Sequence, residues 1–418
     1  MKFAIITHVS HIHKNNQYFG YAPYIREMNI WLKYVDEVIV VAPKVNKDLN
    51  PIHEPYLHSA VHFNQVEEFD ITSVKNMFAT LYKLPKIIRT TYKAMKTADH
   101  IHLRCPGNMG LIGAIVQVFF PKKIKTAKYA GNWDPKSKQP FTYKLQRWIL
   151  SNTFLTKNMQ VLVYGDWENQ SKNIKPFFTA TYSEEEIVGF GDLGIGRQGG
   201  FETWGLGDSE IGRQGDLETG GLGDLETWGL GGFGDVEIGR LGDEVRFLFV
   251  GTLSRGKQPL YVIQLVEALF KKGKNVTLEL YGEGVLRTEL EHYIGQNNLS
   301  HFINLKGNQS KEMVLNAYQN SRFLVLPSKS EGWPKVVAEA MFWGCVPLAT
   351  SVSCVPYMLA DGLRGILLTE QLDEDVVKID SVIENPSQFS SMSKNGMHWS
   401  RTFTTNVFDA EIKKLLHP

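Results

Sequence analysis

The sequence predicts an α/β protein made of two doubly wound domains that face each other across a cleft, joined by an acidic, glycine-rich insert. Short apolar runs alternate with helical stretches in both halves, which is typical of parallel sheets with helices on both faces. An eight-residue repeat interrupts that order between residues 184 and 243. The length of 418 residues suits two or three domains.

The predicted strands are apolar runs of four or five residues. They are Phe3–Thr7, Val38–Ala42, Val161–Tyr164, Phe247–Val250, Thr277–Tyr281, Phe323–Leu326 and Val346–Ala349. Between strands, Leu260–Lys271 and Val336–Trp343 have the periodicity of amphipathic helices. Ligands of such sheets bind outside the carboxyl ends of the strands, so we expect the site in the cleft between the domains.

The repeat divides the chain by charge. Residues 1–183 hold 24 Lys and Arg against 12 Asp and Glu, residues 184–243 hold 3 against 14, and residues 244–418 hold 18 against 18. Each repeat unit contains little apolar material to offset the backbone entropy of its glycines. We interpret residues 184–243 as a disordered linker; a small repeat structure or an interaction surface is the alternative.

Cysteine content and hydropathy exclude several classes of protein. Cys105, Cys345 and Cys354 show no CxxC spacing, which argues against a disulfide framework or a zinc site. The first apolar run is too short for a signal peptide, and the longest apolar stretch, from Gly110 to Pro121, is too short to span a membrane. We therefore expect a soluble, cytoplasmic protein.

A glycine-containing turn follows the strand Phe247–Val250 and leads into a helix. It places Gly251, Arg255 and Lys257 between the two elements. Glycine lets a phosphate approach the backbone, the helix start offers free N–H groups, and lysine adds a positive charge. The turn predicts a phosphate site, although a turn with solvated basic residues would have the same composition.

Two glutamates eight positions apart follow a later strand. Pro334 suits the first position of a helix, so Glu331 should lie in the turn before the helix and Glu339 within it. Carboxylates placed in this way can hold separated hydroxyl groups of one ligand, with a phosphate held by the N–H groups of Gly332 and Trp333. The alternative is a capping acid and a helix-surface acid.

Together these motifs resemble the donor domain of retaining GT-B glycosyltransferases of family four, the group one type. The resemblance also includes Tyr281-Gly-Glu-Gly284, Gly344-Cys-Val-Pro347 and Arg364-Gly365, and it covers about residues 245–400. It implies a GT-B fold of two Rossmann-like domains, with an acceptor-binding domain at 1–183, a nucleotide-sugar donor domain at 244–400 and a final helix, 404–416, packed back on the first domain. In proportion the chain is similar to bacterial capsule, exopolysaccharide and lipopolysaccharide enzymes.

The resemblance implies roles for the matched residues. Glu331 would hold hydroxyls of the donor sugar, Lys257 would neutralise the departing diphosphate, and Glu339 would hold the ribose hydroxyls of the nucleotide. The other donor-binding residues that it implies are Arg255, Gly251, Gly282, Gly284, Gly332, Trp333, Asn308 and Gly20, the last in a turn that faces the diphosphate. The donor would be UDP- or GDP-linked, with no metal or other cofactor.

The sequence departs from the family pattern at three places. Thr252 replaces a frequent Arg, the segment Lys128–Asn132 lacks a frequent His, and Ser353-Cys354 replaces a glycine pair. These departures motivate an alternative function, a non-catalytic nucleotide-sugar-binding partner of another transferase. Glu331, Glu339 and Lys257 argue against that alternative, because a protein without catalysis need not keep them.

Three histidines, His8, His11 and His13, follow the first strand. They could form a metal site, contact the acceptor or the diphosphate, or have no functional role. A metal site would require the three rings to converge on one point, which a turn rarely arranges.

Residues 83–147 are strongly basic and rich in aromatic residues. They contain 14 Lys and Arg against two acids, Asp99 and Asp134. Such a surface suits an anionic membrane, where a lipid-linked acceptor would be found, and would make the protein peripheral at the inner face of the cell membrane. A solvated basic face is the alternative. We expect no nucleic-acid partner, because no recognition motif accompanies the charge.

Overall fold

The computed structural model describes residues 1–50, 52–68, 74–188 and 244–417. Its first half forms a seven-stranded sheet with helices on both faces and a small three-stranded sheet beside it. The strands of this half are β1 (Lys2–Ile6), β2 (Ile12–Lys14), β3 (Gln17–Tyr21), β4 (Glu37–Pro43), β5 (His53–Pro55), β6 (Val61–Val66), β7 (His100–Cys105), β8 (Ile124–Tyr129), β9 (Met159–Tyr164) and β10 (Ile174–Phe177). Its helices are α1 (Ala22–Trp31), α2 (Val74–Thr97), α3 (Asn108–Val116), α4 (Phe141–Ser151) and α5 (Glu184–Val188).

The second half forms a six-stranded sheet. Its strands are β11 (Val245–Val250), β12 (Val276–Tyr281), β13 (Ile303–Gly307), β14 (Phe323–Leu326), β15 (Val346–Thr350) and β16 (Ile366–Leu368). Its helices are α6 (Pro259–Lys271), α7 (Arg287–Gln296), α8 (Lys311–Asn320), α9 (Lys335–Phe342), α10 (Val355–Leu359), α11 (Leu372–Ile383), α12 (Pro386–Ser400) and α13 (Thr405–Leu416).

Both large sheets are parallel, as predicted. The first has the strand order β10-β9-β8-β7-β1-β4-β6 and the second the order β13-β12-β11-β14-β15-β16. Strand β14 illustrates why such strands are apolar throughout: Phe323 and Val325 enter one hydrophobic core, while Leu324 enters the core on the opposite face. Alternate side chains of a strand point to opposite faces, and both faces here are covered by helices.

Strands β2, β3 and β5 form an antiparallel sheet that the sequence analysis did not predict. Gly20 lies in β3, just before helix α1, and is buried, so the expectation of a turn there is wrong, while its role towards a diphosphate stays a prediction. A Cβ at Gly20 would lie 3.0 Å from Cδ1 of Ile25 and 3.5 Å from Cδ2 of His11. The glycine therefore allows strand β3 to pack closely on helix α1.

Helix α5 occupies the start of the segment that we interpreted as a linker. Ser183 caps it, because the Ser183 N–H donates to Oε2 of Glu186 (2.8 Å) and the Glu186 N–H donates to Oγ of Ser183 (3.4 Å). Lys311 of α8 also pairs with Glu186 (2.9 Å). This reciprocal capping box is a known helix start, so the first five residues of the segment are helical. The remaining residues, 189–243, lie outside the described part of the chain, and so does the prediction of disorder there.

The final helix, α13, packs against the first half. Phe408 contacts the rings of Phe177 and Phe178, and Asp409 accepts from Lys33 Nζ (2.9 Å). One hydrophobic core accordingly contains residues from both halves. No helix among the described residues combines the length and the apolar character needed to cross a bilayer.

Candidate functional site

Close backbone packing explains two of the glycines predicted at the site, Gly282 and Gly284. Gly282 has φ +134°, and a Cβ on it would lie 2.0 Å from the carbonyl oxygen of Gly251. A Cβ on Gly284 would lie 2.3 Å from the carbonyl oxygen of Leu253. The Leu253 N–H in turn donates to the carbonyl of Glu283 (3.0 Å). The turns after β11 and β12 therefore pack backbone against backbone at the carboxyl edge of the second sheet, where only glycine fits.

Lys257 and Glu331, predicted as the catalytic residues, form an ion pair at this same edge. Glu331 is 9% exposed and the Lys257 side chain is 29% exposed, so Lys257 is the more accessible partner of the pair. Their two loops are joined by a hydrogen bond from the Lys329 N–H to the carbonyl of Gly256 (2.9 Å). The fold thus places a cation beside a nearly buried carboxylate on two neighbouring strand ends, β11 and β14.

Gly332 brings the two halves into contact. A Cβ on it would lie 3.1 Å from the carbonyl carbon of Gly131 and 3.2 Å from the carbonyl oxygen of Ala130, both in the loop after β8. Its own carbonyl accepts from Oγ of Ser353 (3.2 Å) and Sγ of Cys354 (2.9 Å). The residues that replace the usual glycine pair therefore hold the backbone of the Glu331 loop.

The Trp333 ring lies in an aromatic cluster between the halves. It packs 5.8 Å from Tyr164 at the end of β9, 6.0 Å from Trp399 and 5.6 Å from Phe403, measured between ring centroids. At 7% exposure the indole is part of the interdomain core. Because the side chain belongs to this core, the donor-binding role predicted for Trp333 applies to its backbone N–H group.

Both carboxylate oxygens of Glu339 accept hydrogen bonds from hydroxyl groups. Thr181 Oγ1 donates to Oε1 (2.7 Å), and Tyr318 Oη donates to Oε2 (3.0 Å). Thr181 belongs to the segment that leaves the first half, whereas Tyr318 is on α8. Lys335, at the start of the same helix α9, is desolvated, which lowers the pKa of its ammonium, while Glu27 and Glu339 act to raise it. Glu339 therefore lies in the cleft with a pair of hydroxyl donors already arranged around it.

Arg255 and Asn308 are exposed on the loops after β11 and β13. They stand at the same carboxyl edge as Lys257, and the described structure brings neither into contact with Glu331. Of the predicted set, only Gly20 lies outside the second half, in the three-stranded sheet of the first half.

A buried charge cluster, which the sequence analysis missed, faces the site from the first half. Glu27 of α1 accepts from Arg104 Nη1 (2.6 Å) and pairs with Lys128 Nζ (3.0 Å). Burial lowers the pKa of Lys128 to about 7, partly opposed by Glu27. Burial alone would raise the pKa of Glu27, but Arg104 and Lys128 hold it at about 2. The sequence did contain one signal for this cluster. Arg104 and Lys128 lie near the carboxyl ends of adjacent strands, the edge at which sheets of this kind bind ligands.

The three histidines after β1 do not converge. His11 is buried and contacts Oη of Tyr56 through Nε2 (3.0 Å), and burial lowers its pKa to about 4. His13 packs on Tyr18, and His8 lies beside Gly107. Within the described ranges, the structure contains no group of three or more His, Cys, Asp or Glu that could hold a metal ion.

Sequence comparison finds relatives of the second half of the chain. Residues 236–399 match the family described as Glycosyl transferases group 1. An uncharacterized glycosyltransferase of Methanocaldococcus jannaschii is 32% identical over 164 residues, covering 39% of this chain and 45% of that protein. The alpha-D-kanosaminyltransferase of Streptomyces kanamyceticus is 26% identical over 156 residues, covering 37% of this chain and 40% of that protein. The chain thus spans less than half the length of these curated relatives.

Structural comparison covers the whole chain. Sucrose-phosphate synthase from Thermosynechococcus elongatus superposes with a TM-score of 0.63 at 16% identity, over 100% of this chain and 98% of the other. Anabaena HepE in complex with UDP and glucose superposes with a TM-score of 0.63 at 14% identity, over 100% and 99%. At such identities the likeness concerns the fold alone. Residues 236–399 therefore carry a domain of the group 1 glycosyltransferase family, in a chain that has the two-sheet α/β fold of GT-B proteins.

Proposed function

We propose that this protein is a retaining glycosyltransferase. It would move a sugar from a nucleotide diphosphate sugar to a saccharide or lipid-linked saccharide acceptor in cell-envelope polysaccharide synthesis. The observation that carries the proposal is the Lys257–Glu331 ion pair, held at the carboxyl edge of a group 1 domain and facing the cleft. A fixed cation next to a carboxylate can serve both the diphosphate and the sugar of one donor.

In the proposed reaction, the bond between the donor's anomeric carbon and the diphosphate oxygen breaks, and a bond from that carbon to the acceptor oxygen forms on the same face. Negative charge develops on the departing diphosphate. Lys257 would stabilise that charge, assisted by Arg255 and by the close-packed backbone around Gly251, Gly282 and Gly284. The proton released by the acceptor hydroxyl would leave with the diphosphate.

The carboxylates would hold the two sugars of the donor. Glu331 would accept from hydroxyls of the transferred sugar, with Gly332 and Trp333 offering backbone N–H groups beside it. Glu339 already accepts from two hydroxyls, those of Thr181 and Tyr318, and the 2′ and 3′ hydroxyls of a ribose are donors of the same kind. Asn308 would lie near the base.

The comparisons support a nucleotide-sugar donor in general, rather than one particular sugar or nucleotide. Anabaena HepE, which shares this fold, is described in complex with UDP and glucose, in keeping with a nucleotide-sugar donor that is UDP- or GDP-linked. The retaining outcome and the polysaccharide pathway rest on the motif resemblance. We propose no metal or other cofactor, because Lys257, Arg255 and the backbone N–H groups supply positive charge for the diphosphate.

The test is release of nucleotide diphosphate by the purified protein from a panel of UDP-, GDP- and ADP-sugars, with and without saccharide acceptors. We expect one donor to be turned over and the turnover to be lost in Glu331→Gln. The configuration of the transferred sugar, read by NMR, checks retention. Binding of a donor with no turnover, even with lipid-linked acceptors present, would contradict the proposal and favour a non-catalytic nucleotide-sugar-binding partner.

We also propose that the acceptor is reached at an anionic membrane, through the helical face of α2, α3 and α4. Exposed aromatic residues on this face are Tyr82, Tyr92, Phe119, Phe141 and Trp148. Exposed basic residues are Lys86, Arg89, Lys93, Lys96 and Lys144. The face is less basic than its sequence suggests, because Arg104, Lys125 and Lys128 lie inside the fold and Lys83 pairs with Glu67 (2.9 Å).

We expect Phe141→Ser with Trp148→Ser to lower partitioning onto vesicles of phosphatidylcholine and phosphatidylglycerol by about tenfold. Both side chains are exposed, at 78% and 59%, so folding should be retained. The matched control is Val285→Ser with Leu363→Ser, two exposed apolar residues of the second half. Co-sedimentation that is equal for the two double variants would argue against this face as the membrane surface.

A further inference from the structure

A basic cavity of about 430 Å³ opens at the edge of the first sheet where β8 and β9 begin. Its lining includes Lys125, Lys157, Lys172 and Lys175, together with threonine and asparagine side chains. The candidate donor site lies at the carboxyl ends of strands, whereas this cavity lies at their amino ends. A six-residue strand is roughly 17 to 20 Å long, so the cavity is distinct from the cleft.

Lys125 is the most informative residue of the lining. It is 1% exposed, and its ammonium donates to the carbonyl of Phe120 (2.9 Å). Burial lowers the pKa of Lys125 to about 8, with no carboxylate acting against that shift. A buried ammonium without a counter-charge is unfavourable, because a neutral carbonyl replaces only part of the lost hydration.

The other three lysines add positive charge to the lining. Among the described residues, none of Lys125, Lys157, Lys172 and Lys175 forms an ion pair with a carboxylate, whereas Lys83, Lys257 and Lys274 each do. Thr153 and Asn158 add neutral polar side chains to the same lining. The lining is therefore rich in lysine, and an anion of more than one charge would offset the positive charge there.

We propose that this cavity binds a terminal phosphate group, either of a soluble phosphorylated compound or of a phosphomonoester lipid headgroup. A terminal phosphate presents up to three acceptor oxygens and nearly two negative charges, which suits several lysine donors and the hydroxyl of Thr153. The cavity has room for more than one phosphate group. The proposal does not rest on glycosyl transfer.

The cavity also touches the helix that returns from the second half. Leu415 of α13 lines it, and the next residue, Leu416, is buried in the core shared by both halves. A ligand here would therefore contact an element whose packing depends on how the two halves sit together.

The test uses the full chain and inorganic pyrophosphate as the probe, measured by calorimetry. The pocket variant is Lys157→Gln, Lys172→Gln and Lys175→Gln, all exposed side chains; the charge-matched control is Lys47→Gln, Lys378→Gln and Lys394→Gln, also exposed. Both triple variants keep the residues of the donor site, so a difference in pyrophosphate binding between them is due to the cavity. We expect the pocket variant to bind pyrophosphate about tenfold or more weakly at one site, and the control to bind like the unmodified protein.

A second arm separates the two sources of phosphate. Vesicles of phosphatidylcholine carrying phosphatidic acid are compared with vesicles carrying phosphatidylglycerol, whose phosphate is a diester. A preference for phosphatidic acid that the pocket variant loses, with or without a change in pyrophosphate binding, assigns the cavity to a lipid headgroup. A change in pyrophosphate binding alone assigns it to a soluble phosphate. Equal behaviour of the pocket and control variants in both arms would overturn the proposal.

Discussion

Lys257→Met is expected to lower kcat/KM for the nucleotide-sugar donor by about 10²–10³-fold, the usual effect of removing one preorganised group that stabilises transition-state charge. The ground-state diphosphate is already charged, so donor binding should weaken less than kcat falls. The structure makes Lys257 effective because its loop is held in place: the Lys257 N–H donates to the carbonyl of Ser254 (3.0 Å), and the Lys329 N–H fixes the neighbouring Gly256.

The matched control for this prediction is Lys329→Met. Lys329 is exposed and lies two residues from Glu331, and it bonds to the Lys257 loop through its backbone N–H, which the substitution keeps. Lys257→Arg should recover part of the activity, because the charge is kept while its position changes. Initial rates over a range of donor concentrations, with donor affinity measured separately, separate kcat from binding. A Lys257→Met enzyme within about threefold of the unmodified protein would remove Lys257 from the catalytic role.

The second half was largely predictable because its site is built from local sequence. A strand, a turn and a helix start follow one another, so Gly251, Lys257, Glu331 and Glu339 fall at the carboxyl edge whenever the strands are parallel. Strand β14 was predicted with its observed bounds, and helix α9 to within one residue at each end. Their contacts required the tertiary structure: no spacing rule indicates that Lys257 pairs with Glu331, 74 positions away.

The first half was less predictable because its important contacts join distant segments. Glu27 and Arg104 are 77 positions apart, and each alone reads as a surface charge. The family resemblance placed Gly20 in a turn, but here the glycine lies in a buried strand, where a side chain would crowd Ile25 of helix α1. The capping box of α5 is present in the sequence as Ser183 followed three residues later by Glu186. We did not predict the helix because we assigned Glu186 to the acidic repeat that begins there.

The cluster of Glu27, Arg104 and Lys128 links these structural contacts to the domain arrangement. The Lys128 ammonium lies 5.5 Å from the Tyr164 ring centroid and 4.9 Å from that of Phe408 on α13. Tyr164 in turn packs on Trp333, the neighbour of Gly332 in the donor loop. A substitution of Glu27 would therefore affect the packing of the first half's core and of helix α13, which connects that half to the second.

Glu27→Gln is expected to destabilise the protein by about 3–5 kcal/mol, because it leaves Arg104 and Lys128 buried without their carboxylate. The midpoint of thermal unfolding should fall by about 10 °C. The matched control is Glu54→Gln, which breaks the neighbouring but half-exposed pair with Arg26 and should cost at most about 1 kcal/mol. Similar midpoints for the two variants would contradict the view that the Glu27 cluster is a structural necessity.

The pKa values of the cluster give this prediction a pH signature. The pKa of Glu27 is held at about 2 in the folded protein against 4.5 for the free residue, so its stabilisation is present above pH 4.5 and is lost as the pH falls towards 2. The pKa of Lys128 is about 7 when folded against 10.5 when free, so the unfolded chain binds the extra proton between these values and stability rises with pH there. Lys128→Met should abolish that alkaline rise and gain its largest relative stability below pH 7, as measured by urea unfolding across pH. Parallel pH profiles for the variant and the unmodified protein would show that the Lys128 ammonium is not desolvated in the folded state.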